Sequence, residues 1–329
     1  MSPPATGPIP PPAPRPSLWA RNPPPKELWA GAALLAVYVG LALSALIEFG
    51  SHLGTLAVTR AWVPTYVIIG PNPAQPFGVL PAFGVSLSTA LWQATPWDLA
   101  ILLPILAIDG ALALILGTWA GLAEGGPVDH AIGFLGDSLG AVPGPFLLLV
   151  VFGGLSLALA RGVGLPYFVI LFGALLWPTG ARLVRDQARR EARRPYVEAA
   201  RAAGATGRRI AFRHLVPNVL DPVLAQLPID LVVVYFVLSV FPWWTCFQYT
   251  TSNANLYLPM LPAFSPLPST LFPEWGYLLG NGTCLAYTYP DGPFFWWMAV
   301  FPILAMAGFG LAIALALDGI GKWRRGSRS

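Results

Sequence analysis

The stretch Arg189–Pro222, RREARRPYVEAARAAGATGRRIAFRHLVPNVLDP, is the one long, strongly charged segment of an otherwise apolar chain. From Arg182 to Arg213 there are ten arginines against three carboxylates, Asp186, Glu191 and Glu198. Apolar runs long enough to cross a bilayer flank it on both sides. Its pattern predicts a helix, a glycine and a second helix. Pro195 suits a first helical position, and Tyr196–Ala203 is rich in good helix formers. Gly204 can take the left-handed conformation that stops a helix. Thr206 suits the N-cap of a second helix over Gly207–Leu215, which Pro217 helps to end. A short, alanine-faced hairpin held at a membrane surface is something for a partner to grip.

Composition points the same way. Hydrophobic residues make up 55% of the 329, charged residues 10%, and mean hydropathy is +0.62. Those values describe an all-α polytopic membrane protein. Window length and hydropathy predict six spans, near Leu28–Phe49, Asp98–Leu122, Ala131–Ala160, Gly164–Leu183, Val219–Phe241 and Phe294–Ile320. The third run is long enough to contain a break at Pro143-Gly144-Pro145. Seventeen of the nineteen Lys and Arg residues fall in the N-terminal tail, the central loop and the C-terminal tail; only Arg60 and Arg161 fall on the other side. The positive-inside rule therefore places both termini and the central loop in the cytoplasm of a multi-pass cell-membrane protein. The net charge of +4 needs no nucleic acid to explain it.

In chain order, residues 1–27 carry eleven prolines and little apolar content, the composition of a disordered cytoplasmic tail. Residues 28–97 hold the first span and an external loop with irregular backbone, Trp92 and Trp97 resting at the interface. Residues 98–322 form the core, with the cytoplasmic loop at 184–218 and an outer loop at 242–293, and 323–329 are a basic tail.

Asp109 and Asp230 fall near the middle of their spans, and Asp137 lies inside the third. Intramembrane carboxylates are costly and are read first as functional groups. Asp109 and Asp230 are thus candidates for a solute pathway, or for structural bonds to neighbouring helices. The only cysteines, Cys246 and Cys284, both lie in the outer loop, where disulfides are permitted. A Cys246–Cys284 bond would stabilise the loop by about 4 kcal/mol on the chain-entropy model, and two buried thiols are the alternative. Asn281-Gly282-Thr283 fits a glycosylation acceptor. The chain contains no phosphate-binding G-x-x-x-x-G-K-[ST] motif, and His52, His130 and His214 are scattered. It is expected to be no catalyst and to hold no cofactor.

Glu198-Ala199-Ala200, then Gly204, then Leu215-Val216-Pro217 reproduces an E-A-A-x3-G…L-P pattern. That pattern resembles the inner-membrane permeases of binding-protein-dependent ABC importers, and the surrounding YVEAARAAGATGRRIAFRHLVPN most resembles their dipeptide, oligopeptide and nickel branch. The resemblance extends over about Trp97–Lys322. Pro273-Glu274-Trp275-Gly276-Tyr277-Leu278-Leu279 is similar to the family's P-x-W-G-x-L-L, and Leu317-Asp318-Gly319-Ile320 to its terminal G-D-G-L. Asp137 followed by Pro143 resembles its D-x5-P segment, which gives Asp137 a structural role. The chain departs from the branch at Leu238-Ser239-Val240-Phe241-Pro242, which lacks an acid, at an insertion near Thr245–Phe272, and after Pro76-Phe77-Gly78, where a charged box is missing.

The resemblance implies a permease fold and a set of partners: a second permease subunit, two ATPase subunits that bind ATP and Mg, an external solute-binding protein, and membrane lipid. It also implies that Tyr196, Glu198, Ala199, Ala200, Arg201, Gly204, Arg208 and Pro217 carry the coupling to the ATPase. Peptides are the implied solute, with oligosaccharides or nickel as alternatives. Two other classes compete. A proton-driven secondary transporter would use Asp109, Asp137 or Asp230. A membrane scaffold binding anionic lipid or RNA through its arginines would not need the Glu–Gly–Pro register.

The topology is open to a direct check. Cysteines introduced into the N-terminal tail and at Gly326 should be shielded from an impermeant thiol reagent in intact cells. Labelling of either would mean that a span has been miscounted.

Overall fold

The first apolar run folds as α1, Lys26–Phe49, and its capping residue Gly50 has φ 46. A computed structural model describes residues 23–50, 70–80, 85–144, 146–147, 150–151, 165–210, 215–251, 274–280 and 296–326. Ahead of the second long helix lies a small turn structure. Asn72 Oδ1 accepts from the backbone N–H groups of Ala74 and Gln75, Gly78 has φ 78, and Phe77 packs edge-on against Phe301. The two-residue strands β1, Val79–Leu80, and β2, Val85–Ser86, then pair antiparallel, with Val79 opposite Ser86.

Helix α2, Leu87–Leu122, is followed by α3, Pro127–Gly140, and α4, Leu165–Ala192. The hairpin consists of α5, Pro195–Ala202, and α6, Gly207–Ile210. Helices α7, Val216–Thr251, and α8, Trp296–Gly326, complete the described bundle. Among the described residues five helices, α1, α2, α4, α7 and α8, are long and apolar enough to cross a membrane.

Several boundaries differ from the sequence expectation. Helix α2 starts at Leu87, not near Asp98, so Trp92 and Trp97 sit in a helix rather than in irregular backbone. Its polar residues Gln93, Thr95 and Asp98 lower local hydropathy but are buried inside the bundle, and the helix accommodates Pro96. Trp92 Nε1 donates to Ser44 Oγ at 2.9 Å and to Leu41 O at 3.2 Å, tying α2 to α1. Helix α4 runs on to Ala192 and α8 to Gly326, so residues read as loop and tail are helical, stabilised by ion pairs from their basic last turns. Helix α7 continues through Pro242 to Thr251, which puts Cys246 in a helix rather than a loop. Cys284, Asn281 and most of the insertion lie outside the described residues, as do the N-terminal tail to residue 22 and the last three residues.

The third apolar run is described only in part. Helix α3 ends at Gly140, three residues before the proline pair, and residues 152–164 lie outside the described part. Directions of the neighbours still constrain it. Gly173 lies against Ile105 and Ile108, and Gly121 against Arg185 and Ala188, so α2 and α4 run parallel. Helix α3 begins where α2 ends, and α4 begins at the opposite end.

Two helix pairs approach backbone to backbone. A Cβ on Gly117 would lie 2.6 Å from Ala181 O, and one on Gly173 would lie 3.0 Å from Ile105 O. Between α1 and α8, Gly31 faces the backbone of Ala316, and a Cβ on Gly319 would lie 2.5 Å from the Leu28 Cα. Small residues let helices meet where lipid offers little hydrophobic drive to association. The main core fills the half of the bundle away from the hairpin, with Trp275, Phe168, Phe172 and Phe309 fully buried.

Substituting Gly319 by Val should therefore destabilise the detergent-solubilised protein by about 1–3 kcal/mol through overpacking, read as a lower unfolding midpoint. Gly40→Ala, at a helix position with nothing within 4 Å, should leave the midpoint unchanged or raise it. Equal midpoints for Gly319→Val and wild type would contradict the close approach.

Candidate functional site

The hairpin is built from local rules. Pro195 opens α5, and Ala203 N–H donates to Ala199 O. Gly204 has φ 83, and Ala205 N–H reaches back to Ala200 O at 3.0 Å. That pair of features is a left-handed helix stop in which the chain reverses over a single glycine. Thr206 Oγ1 then accepts from Arg209 N–H at 3.4 Å, and Thr206 O from Ile210 N–H at 3.0 Å, which starts α6. Residues 211–214, including His214, lie outside the described part.

A second apolar cluster seats the hairpin on the bundle. Val197, Ile210 and Leu215 are buried with Val184 and Ala188 of α4 and Val219 and Val223 of α7. Ala200 and Ala205 pack against the same cluster, so Ala200 faces partly inward. Glu198, Ala199, Ala202, Ala203 and Gly204 are exposed. Small side chains and one carboxylate thus form an outward face that another protein could approach closely. The side chains of Arg201 and Arg208 lie outside the described residues.

Polar contacts bind both ends of the hairpin. Tyr196 Oη donates to Glu191 Oε2 at 2.9 Å and accepts from Asn218 Nδ2 at 3.0 Å. One phenol therefore joins the end of α4 to the start of α7. Burial and the Glu191 carboxylate push the Tyr196 phenol above its usual value, so it stays a donor at neutral pH. Pro217 contributes through its carbonyl, which accepts from Arg324 Nη2.

The arginines of α4 are largely absorbed within the chain. Arg185 and Arg189 converge on Asp129, each at 2.5 Å, and Gly125 N–H reaches the same carboxylate at 3.0 Å. Arg182 meets Asp137 at 2.6 Å and Arg193 meets Glu124 at 2.7 Å. Asp137 is thus an exposed, arginine-paired residue. The turn Glu124–His130, which carries no Lys or Arg, supplies Glu124 and Asp129 as anions that neutralise the arginine-rich helix end. Burial alone would raise the Asp129 carboxyl, but the Gly125 and Arg185 hydrogen bonds and the two guanidinium charges outweigh it and hold it below the usual carboxylate range.

The structure brings the two pathway candidates together. Asp109 of α2 and Asp230 of α7 are 1% and 5% exposed and lie within hydrogen-bonding reach of each other. Gln226 Nε2 donates to Asp230 Oδ1 at 3.0 Å. Within this chain they face each other across the buried α2–α7 contact, where Gly110 also lies against Val223 and Leu227. A second buried carboxylate pair went unread in the sequence. Asp98 Oδ2 accepts from Trp275 N–H at 3.0 Å, and Glu274 Oε2 from Gly276 N–H at 2.6 Å. These two acids seat the segment around Trp275, whose ring meets Tyr38 and Phe309 edge-on.

Sequence reasoning also missed Glu191, Val197, Asn218 and Asp129. Val197 was legible as the apolar position three before Ala200; the polar partners come from remote elements and carry no local signal. Among the described residues, no group of three or more His, Cys, Asp or Glu is placed to hold a metal.

Comparison with known proteins bears on this geometry. The model of the family described as binding-protein-dependent transport system inner membrane component matches residues 113–325. A Brucella suis biovar 1 permease protein, named for a peptide transport system, is 30% identical over 249 residues, 75% of this chain and 73% of that protein. The oligopeptide transport system permease protein OppC of Escherichia coli K12 is 30% identical over 236 residues, covering 67% and 66%. The glutathione transport system permease protein GsiD of Pectobacterium atrosepticum is 27% identical over 251 residues, covering 76% and 72%.

Asp129→Asn should cost about 2 kcal/mol, the scale of hydrogen bonds to a charged group. Because the folded carboxyl titrates below its unfolded value, this contribution is full above the ordinary carboxylate range. It disappears as pH falls through the lower, folded value. Unfolding midpoints measured against pH should therefore converge for wild type and Asp129→Asn in acid and separate near neutrality. A constant gap would contradict the clamp.

Proposed function

This chain belongs to the family of binding-protein-dependent transport system inner membrane components, and on that premise we propose that it forms half of a peptide-import pathway driven through its hairpin. The chain is a multi-pass membrane permease subunit, separate from the ATPase. The assembly proposed for it has a second permease subunit, two cytoplasmic ATPase subunits that bind ATP and Mg, and an external solute-binding protein. Peptides are favoured as solute because relatives of similar length are named for peptide, oligopeptide and glutathione transport.

The observation that carries the reading is the hairpin itself. Its outer face is small and exposed, its inner face is anchored by Val197, Ile210 and Leu215, and Tyr196 near its start is bonded to both α4 and α7. A load applied at Glu198–Gly204 by a closing ATPase dimer would reach α4 through Glu191 and α7 through Asn218. Helix α4 would carry α2 with it, because their backbones are in contact at Gly117 and Gly173. The apolar anchor makes the hairpin a lever rather than a loose loop. Rocking of the spans would then open the pathway alternately outward and inward.

Gly204 provides the test. No atom lies within 4 Å of a Cβ built there, so a side chain meets only the backbone penalty of φ 83. Gly204→Val should insert normally yet lower transport per ATP hydrolysed roughly fivefold in the reconstituted complex, the scale of a perturbed coupling element. Gly204→Asn, which tolerates the left-handed region, should lose less. Normal substrate-stimulated ATPase and transport in Gly204→Val would refute the assignment.

A further inference from the structure

The basic end of α8 does more than orient the chain in the membrane. Arg324 Nη2 donates to the carbonyl of Pro217, the last residue of the proposed coupling pattern. The same guanidinium lies 3.8 Å from Asp221 Oδ1, and Arg325 lies 3.5 Å from Asp221 Oδ2. The Arg324–Asp221 contact is sheltered, since these side chains are 19% and 25% exposed, whereas Arg325 is 55% exposed. Two residues back, Lys322 bridges Asp318 on its own helix and Glu27 of α1, each at 2.8 Å. Below that bridge α1 and α8 lie backbone to backbone at Gly31 and Gly319. The first two turns of α7 are thus gripped from two directions, by Tyr196 of the hairpin on Asn218 and by Arg324 on Pro217 and Asp221.

We infer that Arg324 and Asp221 are positioning residues that pass the hairpin's displacement from the start of α7 to the α1–α8 pair. The inference rests on the coupling role proposed for the hairpin. Without this clasp α7 would still be pulled through Asn218, but its polar tie to α8 would be lost, and the α1–α8 pair would follow only through side-chain packing and the Trp92 contact between α2 and α1. Exposed ion pairs such as Lys322–Glu27 are weak by themselves. The sheltered guanidinium, which donates to a carbonyl and faces a carboxylate, can hold the junction under load.

Distances measured by electron spin resonance in the reconstituted complex would test this. Noncanonical spin-label residues replace pairs of the exposed positions Trp29 of α1, Trp119 of α2 and Ile229 of α7. Distances are compared before and after trapping with ATP, Mg and vanadate. In the wild type both Trp29 and Ile229 should move relative to Trp119. In Arg324→Ala, Ile229 should still move, while the displaced population of Trp29 should fall roughly fivefold. Asp221→Asn, which keeps the side-chain shape, should act in the same direction, and Arg324→Lys should restore part of the Trp29 movement. A passive structural contact would show no such split between the two labels. Full Trp29 movement in both Arg324→Ala and Asp221→Asn would overturn the inference. The coupling reading fails separately: Gly204→Val should suppress both movements, and wild-type movement there would refute the hairpin's role without restoring or removing the effect of Arg324.

Discussion

Close contact between helix backbones is the constraint on which the rest of this structure depends. In a bilayer, apolar side chains gain little by leaving lipid for protein, so helices must earn their association through van der Waals fit. Here glycines supply it at two seams. One lies between α2 and α4, at Gly117, Gly121 and Gly173, and the other between α1 and α8, at Gly31 and Gly319. Each seam brings main chain against main chain and leaves no room for a methyl group to slide. The bundle therefore contains two tight pairs, which meet through α1 and α2 at Trp92 and which α7 also contacts.

Polar chemistry is sorted along the height of this bundle. The end that carries the hairpin is cross-braced by ion pairs: Asp129 with Arg185 and Arg189, Asp221 with Arg324 and Arg325, and Glu27 with Lys322. Deeper inside, carboxyls meet one another or backbone N–H groups. Asp109 faces Asp230, and Asp98 and Glu274 cap the segment that begins at Trp275. Buried acids in this chain thus join elements far apart in sequence. Asp98 is completely buried with one oxygen bonded to Trp275 N–H.

The hairpin combines a rigid seat with an accommodating face. Val197, Ile210 and Leu215 fix it to α4 and α7, while Ala199, Ala202 and Ala203 leave the outward side low and smooth. Its ends are joined by a single phenol, Tyr196, between Glu191 and Asn218. The apolar seat and the phenol both tie the described part of the hairpin to the long helices. This seating follows from packing and hydrogen bonding.

Much of this was legible in the sequence because it is local. The Pro195 start, the Gly204 stop and the Thr206 cap depend on residues within a few positions of one another, and each is found where its pattern places it; five of the apolar runs appear as long helices among the described residues. Element ends were less legible. Polar residues at the start of α2 and basic ones at the ends of α4 and α8 resemble loop by hydropathy, yet remote partners keep them helical. The pairing of Asp109 with Asp230, the clamp on Asp129 and the grip of Arg324 on Pro217 were decided only by tertiary structure. Sequence periodicity specifies which face of a helix is apolar, but which remote charge meets it depends on how whole helices pack, and that is set by glycine contacts between segments distant in the chain.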